Sequence, residues 1–128
     1  MRQASLCIFQ DPVAKGRAKF TRAGFLYTPA KTRKSEASIK TEMRSAFTDE
    51  PFDVAIKVTI IFNLKRPKSV KRLYPAIKPD IDNYIKQIFD SGNGILWVDD
   101  SLICSLYTTK QYTEGEAMIE INIKEICE

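Results

Sequence analysis

Residues 54–63 constrain the fold more than any other part of the chain. Val54, Ile56, Val58, Ile60 and Phe62 alternate with Ala55, Lys57, Thr59, Ile61 and Asn63, the period of two that a β-strand shows when one face meets a core. Shorter β-prone runs stand at residues 5–9, 103–109 and 117–123. The polar residues and Gly115 between the last two predict an antiparallel hairpin.

Helical spacing appears twice. In residues 32–47, Ile39, Met43, Ala46 and Phe47 recur at i, i+4, i+7 and i+8, with Lys34, Lys40, Glu42 and Arg44 elsewhere around the wheel. A second helix is predicted over residues 80–90, with Ile81, Ile85, Ile88 and Phe89 inward and Gly92 or Gly94 closing it. Phe20 before and Phe25 and Tyr27 after a turn at Arg22, Ala23 and Gly24 read as a hairpin arm. No internal repeat or interdomain linker is visible, and 128 residues suit one domain, residues 1–128.

Composition excludes several chemistries. The chain has no histidine, which removes histidine-dependent triads and the common histidine-containing zinc sites. Three widely spaced cysteines, Cys7, Cys104 and Cys127, are too few for a four-cysteine zinc site and read as reduced core thiols. Any metal must therefore be held mainly by oxygen. No apolar run approaches the ~20 residues that span a bilayer, and residues 1–11 lack the pattern of a signal peptide, so the expected compartment is the cytoplasm.

The net charge of +4 conceals an asymmetry. Residues 1–75 carry 16 Lys and Arg against 6 Asp and Glu, whereas residues 76–128 carry 4 against 10. Two basic stretches have no acid: Lys15, Arg17, Lys19, Arg22, Lys31, Arg33 and Lys34 lie between Asp11 and Glu36, and Lys65, Arg66, Lys68, Lys71 and Arg72 lie in a proline-rich loop that leads into acidic residues. Such cations can track several phosphates, which makes nucleic acid the expected partner, with binding that falls steeply with salt.

Five aspartates follow: Asp80, Asp82, Asp90, Asp99 and Asp100. Extended backbone through Asp80 would let Asp80 and Asp82 project the same way. A chain reversal at Gly92–Gly94 would bring Asp99 or Asp100 back to that pair. Two or three carboxylates with a substrate phosphate suit magnesium, which lowers the pKa of bound water and offsets charge on a phosphodiester. Lys86, one helical turn after Asp82, would reach the same phosphate. Each residue also has an ordinary structural use: Asp80 or Asp82 as a helix cap, Asp82 with Lys86 as a surface ion pair, Asp99 and Asp100 as turn formers, and Asp90 in solvent. Phe89 and Trp97 read as core or lid residues.

The conjunction resembles the RusA family of Holliday junction resolvases, small nucleases often carried by phages and prophages. The likeness rests on Lys78 to Asn83 (KPDIDN), Lys86, Asp90 and Trp97 to Asp100 (WVDD), with the upstream basic stretch PVAKGRAKFTRAGFLYTP. It implies an α+β fold with a small mixed β-sheet and two main helices packed on it. It further implies a homodimer with one site per subunit, magnesium dependence, and paired symmetric nicks at a four-way DNA junction. Carried over by motif, the resemblance implies that Asp80, Asp82 and Asp100 are metal ligands, that Lys86 is the helix lysine, and that Asp99 stands behind them. The competing readings are a non-catalytic nucleic-acid-binding module and a nuclease for other branched DNA or RNA.

Overall fold

The computed structural model describes residues 1–14, 19–20, 22–24, 26–27 and 30–128. The elements run β1 (Gln3–Ile8), β2 (Lys19–Phe20), β3 (Leu26–Tyr27), α1 (Ala30–Ala46), β4 (Ile56–Lys65), α2 (Ile81–Gly92), a 3-10 turn (Asp100–Leu102), β5 (Ile103–Thr113) and β6 (Met118–Glu125). The architecture is α+β, a four-stranded mixed sheet with two helices. Strand order is β1-β6-β4-β5, with β6 antiparallel to both β1 and β4 and with β4 parallel to β5.

The alternating segment takes the centre, as its composition demands. Ile56, Val58, Ile60 and Phe62 are buried and face the helices, each worth about 1.5–3 kcal/mol when fully removed from water. Leu6 and Ile8 of β1 and Ile119, Ile121 and Ile123 of β6 complete the sheet side of the core. Ile39 and Met43 of α1, Phe47 just beyond it, and Tyr84 and Ile88 of α2 cover it. Strand β4 starts later than its alternation suggested, leaving Val54 exposed, and β1 ends before Phe9, also exposed. Ala46, expected inward, is exposed.

The expected hairpin between residues 103–109 and 117–123 does not form. Strand β4 is inserted between β5 and β6 and bonds to both. Strands β4 and β6 both carry unbroken apolar faces and take the two interior positions, each with a neighbour on both edges, while β5 is nowhere fully buried and sits at the rim. Gly115 has no positive φ, so nothing at residues 114–117 enforces a tight two-residue reversal. The small arm does form: Lys19 pairs with Tyr27 and Phe20 with Leu26, around Gly24 at φ +87°. The thiols differ from expectation, since Cys7 is half-buried and Cys104 and Cys127 are exposed; all three are free.

After α2 the chain turns back over a buried Trp97. Its indole Nε1 donates to Asn93 Oδ1 at 3.0 Å, and Phe89 meets its ring edge-on at 6.0 Å between centroids. Phe52 and Val98 exchange backbone hydrogen bonds with this corner: Phe52 N donates to Leu96 O and Val98 N to Phe52 O, both at 2.9 Å. Gly92 lies directly against the indole, where a Cβ would stand 2.7 Å from Trp97 Cζ2. The clash cannot be relieved cheaply because the ring is fully buried. Gly92→Ala should therefore destabilise the protein by about 1–3 kcal/mol, read from urea denaturation; an unchanged midpoint would show that the corner has slack.

Candidate active site

The approach to α2 is fastened to the sheet. The loop after β4 is held at its start by Arg66 N donating to Thr113 O at 3.3 Å and in its middle by Tyr112 N donating to Leu73 O at 3.1 Å and by buried Pro75. At its end Lys110 Nζ donates to Ile77 O at 2.7 Å and to Pro79 O at 2.9 Å. Lys110 can reach there because parallel register sets it beside Phe62, whose ring stacks on Tyr84 of α2 at 5.2 Å. Burial, and then Tyr112, push the Tyr84 hydroxyl pKa up. The Lys78–Pro79 peptide is cis.

Asp80 stands at the N-cap position with extended backbone, φ −66° and ψ 148°, yet its side chain caps nothing. Its carboxylate instead takes both contacts of the Lys78 ammonium, at 2.9 and 3.1 Å. Hydrogen bonding and charge from Lys78 hold its pKa below the usual carboxylate value against an opposing desolvation, with the smallest contribution coming from the Lys110 charge. Asp82 lies in the first turn of α2. Asp80 and Asp82 are both exposed and flank the partly buried Ile81, so one turn of chain presents two carboxylates to solvent. Lys86 is exposed one turn further on, and the ion pair with Asp82 that its spacing permits does not form. Asp90, expected in solvent, is half-buried.

The two adjacent aspartates are distinguished by the backbone. Asp99 caps the 3-10 turn, its Oδ2 accepting from Ser101 N at 3.0 Å, and hydrogen bonding from Ser101 lowers its pKa. Asp100 begins that turn half-buried, with no side-chain hydrogen bond among the described residues. The 3-10 turn packs against α2. The reversal expected from the Gly92–Gly94 segment is thus present. Among the described residues, however, no group of three or more carboxylate or thiol side chains lies close enough together to hold a metal ion.

The donor chemistry still suits a hard divalent cation. Magnesium commonly takes only one or two protein carboxylates and completes its shell with water and phosphate, and the exposed oxygens of Asp80 and Asp82 supply such a pair.

The basic residues divide into several groups. Lys65, Lys68, Lys71 and Arg72 are exposed along the loop that leads to Asp80, as are Arg22 in the arm and Lys34 on α1. Arg66 is half-buried and bound to Glu114 at 2.9 Å. Lys15 and Arg17 lie outside the described residues. Lys19, Lys31 and Arg33 fall in β2 and α1. Sequence reading missed Lys110, a lone lysine in a strand with no motif around it. Its partners are backbone carbonyls, which leave no trace in a pattern of side chains.

Residues 10–124 match the family described as endodeoxyribonuclease RusA. The chain is also 30% identical over 134 residues to "Uncharacterized protein YqaN" of Bacillus subtilis (strain 168), an alignment covering 93% of this chain and 94% of that protein. No helix among the described residues is long and apolar enough to cross a membrane.

The Lys78 contact has a measurable sign. Removing its cation leaves the Asp80 anion less stabilised, so Lys78→Met should make Asp80 protonate at a higher pH than in the unmodified chain. Titration of the side-chain carboxyl carbon by NMR reads this directly; an unmoved pKa would mean that Lys78 does not hold Asp80 in solution.

Proposed function

The chain belongs to the RusA endodeoxyribonuclease family, and from that premise we propose that residues 1–128 form one domain that resolves four-way DNA junctions by magnesium-dependent phosphodiester hydrolysis in the cytoplasm. Asp80 and Asp82 would hold the ion, and Asp100 would come in as a third carboxylate only on binding of ion and substrate, since the three do not lie close enough together to hold a metal in this structure. When bound, magnesium supplies Lewis acidity toward the scissile phosphate and activation of water. Lys86 places an ammonium near the phosphate charge that grows in the transition state.

The observation that carries this reading is how the carboxylates are used. Asp99 spends its oxygen on the Ser101 amide, while Asp82 and Asp100 have no side-chain partner among the described residues and Asp80 is matched only by an exposed lysine. Asp82 and Asp100 neither cap nor pair among the described residues, and the one pairing of Asp80 is an exposed contact that another cation can replace, which favours a ligand role at these three positions. The exposed cations of the 65–72 loop run into the same site and suit the phosphates of the approaching strand. Contacts of that kind carry no sequence information, so selectivity for a junction requires two sites at a fixed spacing. A homodimer provides them.

Purified protein with magnesium should place paired nicks in a synthetic four-way junction and leave linear duplex and single strands largely uncut. Asp82→Asn and Asp100→Asn should each slow cleavage by roughly 100- to 1,000-fold, the scale for losing one group that stabilises transition-state charge, while junction binding persists in gel shifts. Asp99→Asn should cost less than Asp100→Asn, and Lys86→Ala should slow cleavage far more than it weakens binding. Binding without any magnesium-dependent nicking would sink the enzyme reading, and equal cleavage of flaps or RNA would reassign the substrate.

A further inference from the structure

Residues 76–79, the last before Asp80, are all exposed. Local bonds curl the segment on itself, Ala76 N to Tyr74 O and Ile77 N to Pro75 O. Among the described residues, the hydrogen bonds that tie residues 77–79 to the rest of the fold are the two from Lys110 Nζ. The strand that carries Lys110 is fixed to β4 over its whole length, and Phe62 on β4 stacks on α2 through Tyr84. One ammonium thus couples the sheet, the loop and the start of the helix.

We propose that Lys110 is a positioning residue for the metal-binding carboxylates: it holds the carbonyls of Ile77 and Pro79 and thereby fixes where the Asp80 side chain leaves the loop. The inference rests on the metal reading of the Asp80–Asp82 pair given above. It has a consequence of unusual sign. A lysine ammonium near a cation site repels the cation, so a Lys110 that acted only as a nearby charge would weaken metal binding, and its removal would tighten it. A Lys110 that acts by holding the loop does the opposite, because its removal leaves the Asp80 carboxylate to wander and the ion must then order it.

Calorimetric titration of magnesium chloride into the full chain decides between these. Lys110→Met should weaken magnesium binding by roughly 10-fold, the low end for loss of a group that orients a ligand. Lys110→Arg, which keeps a forked donor for two carbonyls, should restore most of it. Lys78→Met removes the charge that contacts Asp80 directly without touching the fastening, and should bind magnesium as well as the unmodified chain or better. Lys110 is partly exposed on an outer strand, and matching thermal unfolding curves establish that each variant is folded. Unchanged or tighter binding by Lys110→Met overturns the inference alone. Failure of the unmodified chain to bind magnesium overturns the metal reading and this inference with it.

Discussion

The apolar face of β4 is the surface on which the other elements register. Ile56, Val58, Ile60 and Phe62 are buried there, and that burial draws a strand to each edge and a helix layer across the face. The stacking of Phe62 on Tyr84 sets how far α2 advances along the sheet. Because β5 is parallel to β4 and in register with it, the same Phe62 fixes Lys110 as its neighbour. A packing contact in the core therefore determines which outer-strand side chain faces the loop before Asp80. Hydrophobic burial, which is non-directional, becomes directional here through strand register.

A second contact, Trp97 on Gly92, governs where Asp99 and Asp100 stand. The indole fills the space a side chain at position 92 would need, and its Nε1–H is satisfied by Asn93 within the same turn. The chain leaving Trp97 passes Phe52 in a bridge and arrives at Asp99 extended, φ −155° and ψ 148°. That geometry leaves Asp99 able to cap the following turn and leaves Asp100 inside it. Which aspartate is spent is settled by backbone conformation, since an N-cap residue must be extended and the residue after it helical.

Much of this was legible in the residues. The central strand, both helices and the arm follow from periodicity and turn chemistry, and Trp97 takes the core role, one of the two its apolar neighbours allow. The placement of β5 and β6 does not, because neighbouring strands joined by a short link pair by default, and only the competition for β4's edges shows that these two do not. Asp99 and Asp100 are equivalent as letters and differ by one hydrogen bond to Ser101. The spacing of Asp82 and Lys86 suggested an ion pair that the structure does not form, because helical spacing permits such a contact without making it favourable at an exposed position.

The two lysines around Asp80 make different kinds of contact. Lys78 meets Asp80 as an exposed ion pair, a contact that solvent screens and that another cation can replace. Lys110 meets neutral carbonyls, which a divalent ion competing for carboxylate oxygen does not disturb. The loop can thus exchange the partner of its carboxylate while keeping its own position. In a chain without histidine, where the candidate ligands Asp80 and Asp82 are exposed carboxylates that a ligand role would also require to be ordered, fastening the backbone rather than the side chain satisfies both requirements at once.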